Sequence, residues 1–215
     1  MPQLNGHAPP TGRRRGRPVG SDSAETRSRI LRAARTVINE RGYQAATFQA
    51  IAVTAELSRP TLHYYFASRE EIFDALLADA SGVMADCIAV AQRHDHLADQ
   101  LTALVTAIQD VESRDPSTIA FLVSAQLEAG RNPELRLTER ADVRSYLSTI
   151  VSAAVDRGEL AANVSVKSVV DLLHSMLWGM GFYAGFVQDA TSMAEITKQL
   201  GRVFSHGLLG AVAVP

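Results

Sequence analysis

Four polar side chains within one short segment have the chemistry needed to bind a nucleic acid. They are Arg59, Thr61, His63 and Tyr64. Each can hydrogen-bond to base edges or phosphate oxygens, and none is a carboxylate, which a polyanion would repel. Leu62 and Phe66 lie four residues apart and therefore share the inward face of a helix, which leaves the polar residues on its outward face. Residues 59–66 are therefore predicted to form a helix that fits a major groove.

A second short helix and a turn must position this outward face. Apolar residues recur at i, i+3, i+4 and i+7 from Phe48 to Ala55, which predicts a helix that begins at Thr47. A turn over residues 56–58 follows, and Pro60 then occupies the start of the next helix, where its missing N–H costs no hydrogen bond. The two helices and their turn predict a helix-turn-helix.

The segment TFQAIAVTAELSRPTLHYYFASREEIF, residues 47–73, resembles the DNA-binding domain of the tetracycline-repressor (TetR) family of bacterial regulators. The similarity extends over roughly residues 25–75. Three positions depart from the family pattern: Glu56 replaces a common turn glycine, His63 a phosphate-contacting tyrosine, and Arg69 a lysine. At positive φ, Glu56 would cost on the order of 1 kcal/mol. The resemblance implies a homodimeric repressor that a small molecule releases from a palindromic operator.

Two kinds of DNA contact are predicted around the helix-turn-helix. Arg59 is the candidate for bidentate reading of guanine, and Thr61 for contact with a thymine methyl group. The other residues are expected to hold the phosphate backbone, with half-sites about 34–36 Å or a multiple of that distance apart. The complete predicted set here is Thr47, Ser58, Arg59, Thr61, His63, Tyr64, Tyr65 and Arg69.

The first 20 residues are polar, contain RRRGRPVG at 13–20, and are predicted to be a disordered basic arm. The RGRP core resembles an AT-hook, whose extended arginines enter a narrow minor groove. The predicted contacts are Arg13, Arg14, Arg15 and Arg17. A passive solubilising tail remains the alternative for this segment. For the whole chain the alternative is an architectural, AT-hook-like DNA-binding protein without an effector.

Charge is divided unevenly along the 215 residues. Residues 1–66 carry a net charge of +6, whereas residues 67–215 carry −8, so the overall value of −2 hides a basic end joined to an acidic body. This arrangement is expected when one end alone meets a polyanion. Double-stranded DNA is therefore the predicted partner of the amino-terminal end.

Helical periodicity continues to the end of the chain, with no alternating strand pattern. The first helix is predicted to begin near Asp22 and to end at Gly42, and a capping box from Ser68 to Glu71 begins the fourth. Further helices are predicted at about 97–112, 117–129, 134–157, 166–188 and 192–209. The predicted fold is all-α, with an arm (1–20), a three-helix helix-turn-helix domain (21–67), and a helical bundle for effector binding and dimerisation (68–215). The fourth helix joins the last two.

The last two predicted helices carry the features of a dimer interface. The first of them is apolar nearly all round and so must be covered on two faces, one of which can meet a second subunit. Gly181 and Gly185, with Gly201 and Gly207 in the final helix, would let helix backbones approach closely. A helix buried inside a single chain is the alternative. The apolar run 172–187 is too short to span a bilayer, and a cytoplasmic location without membrane contact is predicted.

A small apolar effector is the remaining expectation. Aromatic and polar residues on three of the later helices could line a cavity between them. They are Phe121, Leu122, Gln126, Tyr146, Met176, Trp178 and Phe182. No catalytic constellation, metal site or cofactor site is predicted: the GMG at 179–181 falls inside a helix, and the HDH at 94–96 lacks further ligands at a defined spacing. Cys87, the single cysteine, is predicted to be buried.

Overall fold

The chain folds into helices throughout the part that a computed structural model describes, which is residues 19–132, 135, 143–187 and 190–206. Within those residues there are nine α-helices and no strand. Their bounds are α1 Val19–Arg41, α2 Phe48–Thr54, α3 Arg59–Tyr65, α4 Arg69–Ala91, α5 Leu97–Arg114, α6 Pro116–Arg131, α7 Val143–Asp156, α8 Val166–Phe182 and α9 Ala190–His206. The predicted all-α class is confirmed. No helix in these ranges is both long and apolar enough to cross a membrane.

Three helices differ clearly from their predicted boundaries. In the helix predicted at 134–157, Leu135 lies in a bend rather than a helix, and the described helix α7 begins at Val143. Helix α1 begins at Val19, three residues before the predicted start at Asp22, so the last two residues of the predicted arm are helical. Asp22 therefore lies within the first turn of α1 rather than at its start. Helix α8 changes to a π-helical turn over Tyr183–Val187, which a search for a 3.6-residue period cannot detect.

Helix α4 contributes to both hydrophobic cores. Its first half, including Phe73 and Leu76, packs with α1, α2 and α3 around Leu62 and Phe66. Its second half, including Met84, packs with α5 and α7 to α9. The predicted capping box begins this helix, since Ser68 accepts from Glu71 N–H at 3.2 Å. Only Ala67 and Ser68 separate α3 from α4 after Phe66, so a tilt of α4 moves the helix-turn-helix directly.

The predicted glycine contacts lie inside the chain rather than between subunits. A Cβ at Gly185 would come within 2.8 Å of Ala120 Cα, and one at Gly181 within 3.3 Å of Val123 Cγ2, both on α6. Gly201 faces Thr102 of α5, where a Cβ would make an ordinary contact at 3.4 Å. These glycines therefore allow α8 and α9 to pack closely on their own domain; Gly207 lies outside the described residues.

A stripe of exposed residues runs along the opposite side of α8 and into the π-helical turn. Its members recur at alternating steps of four and three residues: Ser168, Leu172, Ser175, Gly179, Phe182 and Phe186. We call this the α8 outer stripe. Phe182 and Phe186 stack on one another with ring centroids 5.4 Å apart, and Phe182 is 51% exposed. The spacing is that of a helix that packs against another helix, and the large apolar members of the stripe are Leu172, Phe182 and Phe186.

Candidate nucleic-acid interface

Local hydrogen bonds fix both helices of the helix-turn-helix. Thr47 caps α2 by accepting from Ala50 N–H at 3.1 Å, and Ser58 caps α3 by accepting from Thr61 N–H at 3.2 Å. In the turn between them Glu56 has φ of 54°. The predicted positive φ at a non-glycine residue is thus confirmed, with its strain of about 1 kcal/mol. The caps are strong local signals, which is why the sequence predicts these elements well.

Helix α3 presents the predicted polar residues to solvent. Leu62 on its inward side is fully buried, whereas Tyr64 is 83% exposed. Arg59 is exposed too, and no ion pair holds its guanidinium among the residues that the structure describes. The outward side of α3 is therefore an accessible row of hydrogen-bonding groups, with Arg59 free to make a bidentate contact.

Several of the predicted DNA-contacting side chains also have partners within the fold. Thr47 and Ser58 are the helix caps, and the His63 ring stacks on Phe48 with centroids 4.4 Å apart. The Arg69 guanidinium lies 4.2 Å from the centroid of the Tyr43 ring. Tyr65 is half-buried. Whether these residues touch DNA stays a prediction, and Arg13, Arg14, Arg15 and Arg17 lie outside the described residues.

The contact between Arg69 and Tyr43 ties the start of α4 to the turn that follows α1. Tyr43 is buried, its hydroxyl lies 3.1 Å from Glu70 Oε1, and burial is the largest cause of its raised pKa. The sequence offers no short-range pattern that would pair residues so far apart. Arg69 thus has a structural role, which sequence reasoning missed, beside its predicted one.

A polar clamp joins α1 to the start of α6. Arg35 donates to Asp115 Oδ2 at 2.7 Å and to Thr118 Oγ1 at 2.6 Å. Asn39, one turn later, donates to the Ser117 carbonyl at 2.9 Å. Asp115 also caps α6 by accepting from Ser117 N–H at 3.2 Å. The helix-turn-helix end is thereby fastened to the helical body at a second point, independent of α4.

The seven predicted effector-pocket residues are scattered. Phe121 is fully buried in the core around the helix-turn-helix, 5.7 Å from the Phe73 ring centroid. Gln126 and Phe182 are exposed, and Leu122, Met176 and Trp178 are half-buried. None of the seven lines the groove of about 710 Å³ that lies between α4 and α5.

Tyr146 has a distinct environment among those seven residues. It is buried, and its hydroxyl has no hydrogen-bond partner among the described residues. Burial raises the pKa of this hydroxyl to about 12. A buried hydroxyl without a partner is what a ligand-binding residue would offer, but the predicted pocket as a set stays a prediction.

Two family models match the chain in sequence order. One, described as bacterial regulatory proteins of the tetR family, matches residues 30–76. The other, a tetracyclin repressor-like C-terminal domain, matches residues 91–200, which is slightly more than half of the chain. The amino-terminal match covers the helix-turn-helix described above, and the second covers α5 to α9 apart from the last residues of α9.

Individual relatives agree with these matches. The HTH-type transcriptional repressor BepR of Brucella suis biovar 1 is 28% identical over 169 residues, which cover 74% of this chain and 80% of BepR. The fatty acid degradation regulator FadR from Bacillus halodurans superposes with a TM-score of 0.68 at 18% identity, covering 86% of this chain and 97% of that one. FadR from Bacillus subtilis, in complex with stearoyl-CoA, superposes with a TM-score of 0.64 at 14% identity, covering 84% and 98%. The two superpositions show a shared fold.

Proposed function

Since the chain belongs to the TetR family of bacterial transcriptional regulators, we propose that it acts as a homodimeric repressor that a small molecule releases from a palindromic operator. The observation that carries this proposal is the exposed polar side of α3, held by capped helices above a fully buried Leu62. A helix presented in this way fits a major groove, and the net charge of +6 over residues 1–66 favours DNA at that end.

Base reading is assigned to Arg59 and Thr61. Arg59 is exposed at the start of α3, where recognition helices contact base edges, and its guanidinium can bond to guanine O6 and N7 together. Thr61 is half-buried, with its hydroxyl 2.7 Å from Ser58 Oγ, so its methyl group is the part offered to a thymine. The remaining predicted residues of the helix-turn-helix hold phosphates, and the arm over residues 1–18 adds minor-groove contacts. The protein then acts in the cytoplasm, on DNA.

Dimerisation is assigned to the α8 outer stripe. The other side of α8 is occupied by α6, as the contacts of Gly181 and Gly185 show, so the stripe is the side left for a partner. In a two-fold dimer the same stripe meets its copy, and the two α3 helices then reach half-sites about one helical turn, or a multiple of it, apart.

Release by an effector follows from the connections between the two cores. Helix α4 belongs to both, and the clamp at Arg35 ties α1 to α6. A ligand that binds better to a body with α4 or α6 displaced would change the separation of the two α3 helices and weaken operator binding. The complex of the Bacillus subtilis relative with stearoyl-CoA supports a small-molecule effector for this chain.

Selection from a pool of randomised DNA duplexes tests the proposal. The wild-type chain should enrich an inverted repeat, and Arg59→Ala should weaken binding to that repeat by about 1–3 kcal/mol while binding to random DNA changes little. Arg41→Ala, which removes an exposed arginine at the end of α1, serves as the charge-matched control. Enrichment of no repeat, or equal losses for Arg59→Ala on both kinds of DNA, would overturn the assignment.

A further inference from the structure

The groove between α4 and α5 combines an apolar floor with acidic walls. It measures about 710 Å³, a size suited to a small-molecule ligand. The floor is formed by half-buried and buried apolar side chains, among them Val83 and Cys87 of α4 and Ala103 and Ala107 of α5. This floor offers a surface against which an apolar body could pack.

Three exposed carboxylates border the groove, Asp86 on α4 and Asp99 and Asp110 on α5. No salt bridge neutralises any of the three within the described part of the chain. Arg114 is the one arginine among the described lining residues, and its Nε donates to the Asp110 carbonyl at 2.9 Å. The walls therefore carry more negative than positive charge.

The buried Cys87 thiol lies on the floor between these walls. The pKa of this thiol is raised, first by burial and next by the Asp86 charge; Arg114 opposes the shift, and Asp110 adds a contribution smaller than that of Arg114. Both carboxylates thus act on the same point of the floor from different helices. The same negative field would attract a cation into the groove.

We propose that this groove binds an organic cation with an apolar body, and that such a cation is the effector of the repressor proposed above. The separation of the carboxylates favours a large cation over a single metal ion, because Asp99 and Asp110 are eleven residues apart on α5, or roughly 16 Å along the helix. An apolar body would cover the floor while its charge lies between Asp86 and Asp110.

The location of the groove connects it to the DNA-binding end. Asp115 and Thr118 line one end of the groove, and the same two side chains receive the hydrogen bonds of Arg35 from α1. Asp86 lies on α4, whose first half packs under the helix-turn-helix. A ligand in the groove therefore touches both connections between the body and the DNA-binding helices.

Two probes of one shape and opposite charge test the site directly. Tetraphenylphosphonium and tetraphenylborate are titrated into the purified full chain by calorimetry at low salt. We expect the cation to bind at least about tenfold more tightly than the anion, as a net negative wall requires. Equal affinities for the two ions, or tighter binding of the anion, would overturn the proposal.

Matched variants then locate the binding. Asp86→Asn with Asp110→Asn should weaken tetraphenylphosphonium binding about tenfold. The control pair Asp74→Asn with Asp156→Asn removes the same charge from exposed positions of α4 and α7 outside the groove, and should change it less than about twofold. Equal losses in the two pairs would assign the effect to net charge and refute the site.

A second variant, Ala107→Trp, fills the floor and should abolish binding, with its unfolding midpoint measured alongside to show that it folds. If folded Ala107→Trp binds the cation as wild type does, the site is refuted. DNA affinity separates the two proposals. If the chain binds its operator but not the cation, the groove proposal is refuted and the proposed regulator function stands. If the cation binds but leaves the operator affinity unchanged, the binding site is supported and release of the operator through this site is refuted.

Discussion

Phe182 in the α8 outer stripe is the residue whose removal should most clearly separate a dimer from a monomer. Within one chain its side chain is 51% exposed and stacks on Phe186, and the side of α8 that carries it has no partner among the described helices. If the stripe meets its two-fold copy, both Phe182 side chains bury their exposed halves there. Phe182→Ala is therefore expected to weaken dimerisation.

The magnitude follows from the exposed fraction. Complete burial of a phenylalanine side chain is worth about 1.5–3 kcal/mol, so burying the exposed half contributes about 0.75–1.5 kcal/mol. A two-fold interface contains the residue twice, which gives about 1.5–3 kcal/mol per dimer. The dimer dissociation constant of Phe182→Ala should therefore rise about 10- to 150-fold.

Sedimentation velocity over a dilution series measures this constant. Leu127→Ala is the matched control, since Leu127 is 48% exposed on α6 and lies off the stripe. We expect the control to dimerise as wild type does. The reasoning is refuted if Phe182→Ala dissociates no more readily than Leu127→Ala, because the stripe would then not be the contact.

Further predictions concern the stability of the chain and follow from single positions. Glu56→Gly should raise the free energy of unfolding in urea by about 0.5–1 kcal/mol by relieving the positive φ, and Glu56→Ala should bring no such gain. Gly185→Ala should lower it by about 1–3 kcal/mol, because the new Cβ would meet the α6 backbone at 2.8 Å. Gly82 of α4 has open space around it, so Gly82→Ala should raise the free energy of unfolding by up to about 1 kcal/mol. A lower free energy of unfolding for Gly82→Ala would contradict the packing argument. The hydrogen bond from the Arg157 side chain is the largest cause that lowers the pKa of Glu159 to about 2, against an ordinary value of 4.5. The ionised Glu159 should therefore stabilise the fold at pH values above 4.5. That stability should be lost as the pH falls from 4.5 toward 2. Glu159→Gln should flatten that part of the profile of unfolding midpoint against pH, and an unchanged slope would show that the group does not contribute.

Local signals made the helix-turn-helix predictable. Thr47, Ser58 and Ser68 are caps whose side chains bond to backbone groups three residues on, and Pro60 adds a backbone constraint. Such features are written in a few consecutive residues. The positive φ of Glu56 was implied instead by the resemblance to the TetR family, in which a glycine is common at this turn position.

Contacts between distant segments were not predictable from the sequence. The clamp joins Arg35 to residues about 80 positions later, and Arg69 stacks on Tyr43 across two helices. Nothing in a local pattern selects such partners. The close approach of Gly185 to α6 likewise depends on packing, which is why the glycines were assigned to the wrong helix pairs.

A series of half-site spacings tests the central claim most directly. Duplexes carrying the inverted repeat recovered by selection are prepared with zero, five or ten base pairs inserted at the centre, and their affinities are measured by fluorescence anisotropy. If the dimer is rigid and holds its two α3 helices at a fixed separation, the insertion of five base pairs should abolish specific binding, because it turns one half-site to the opposite side of the duplex. Affinity that is unchanged across the series would contradict the account.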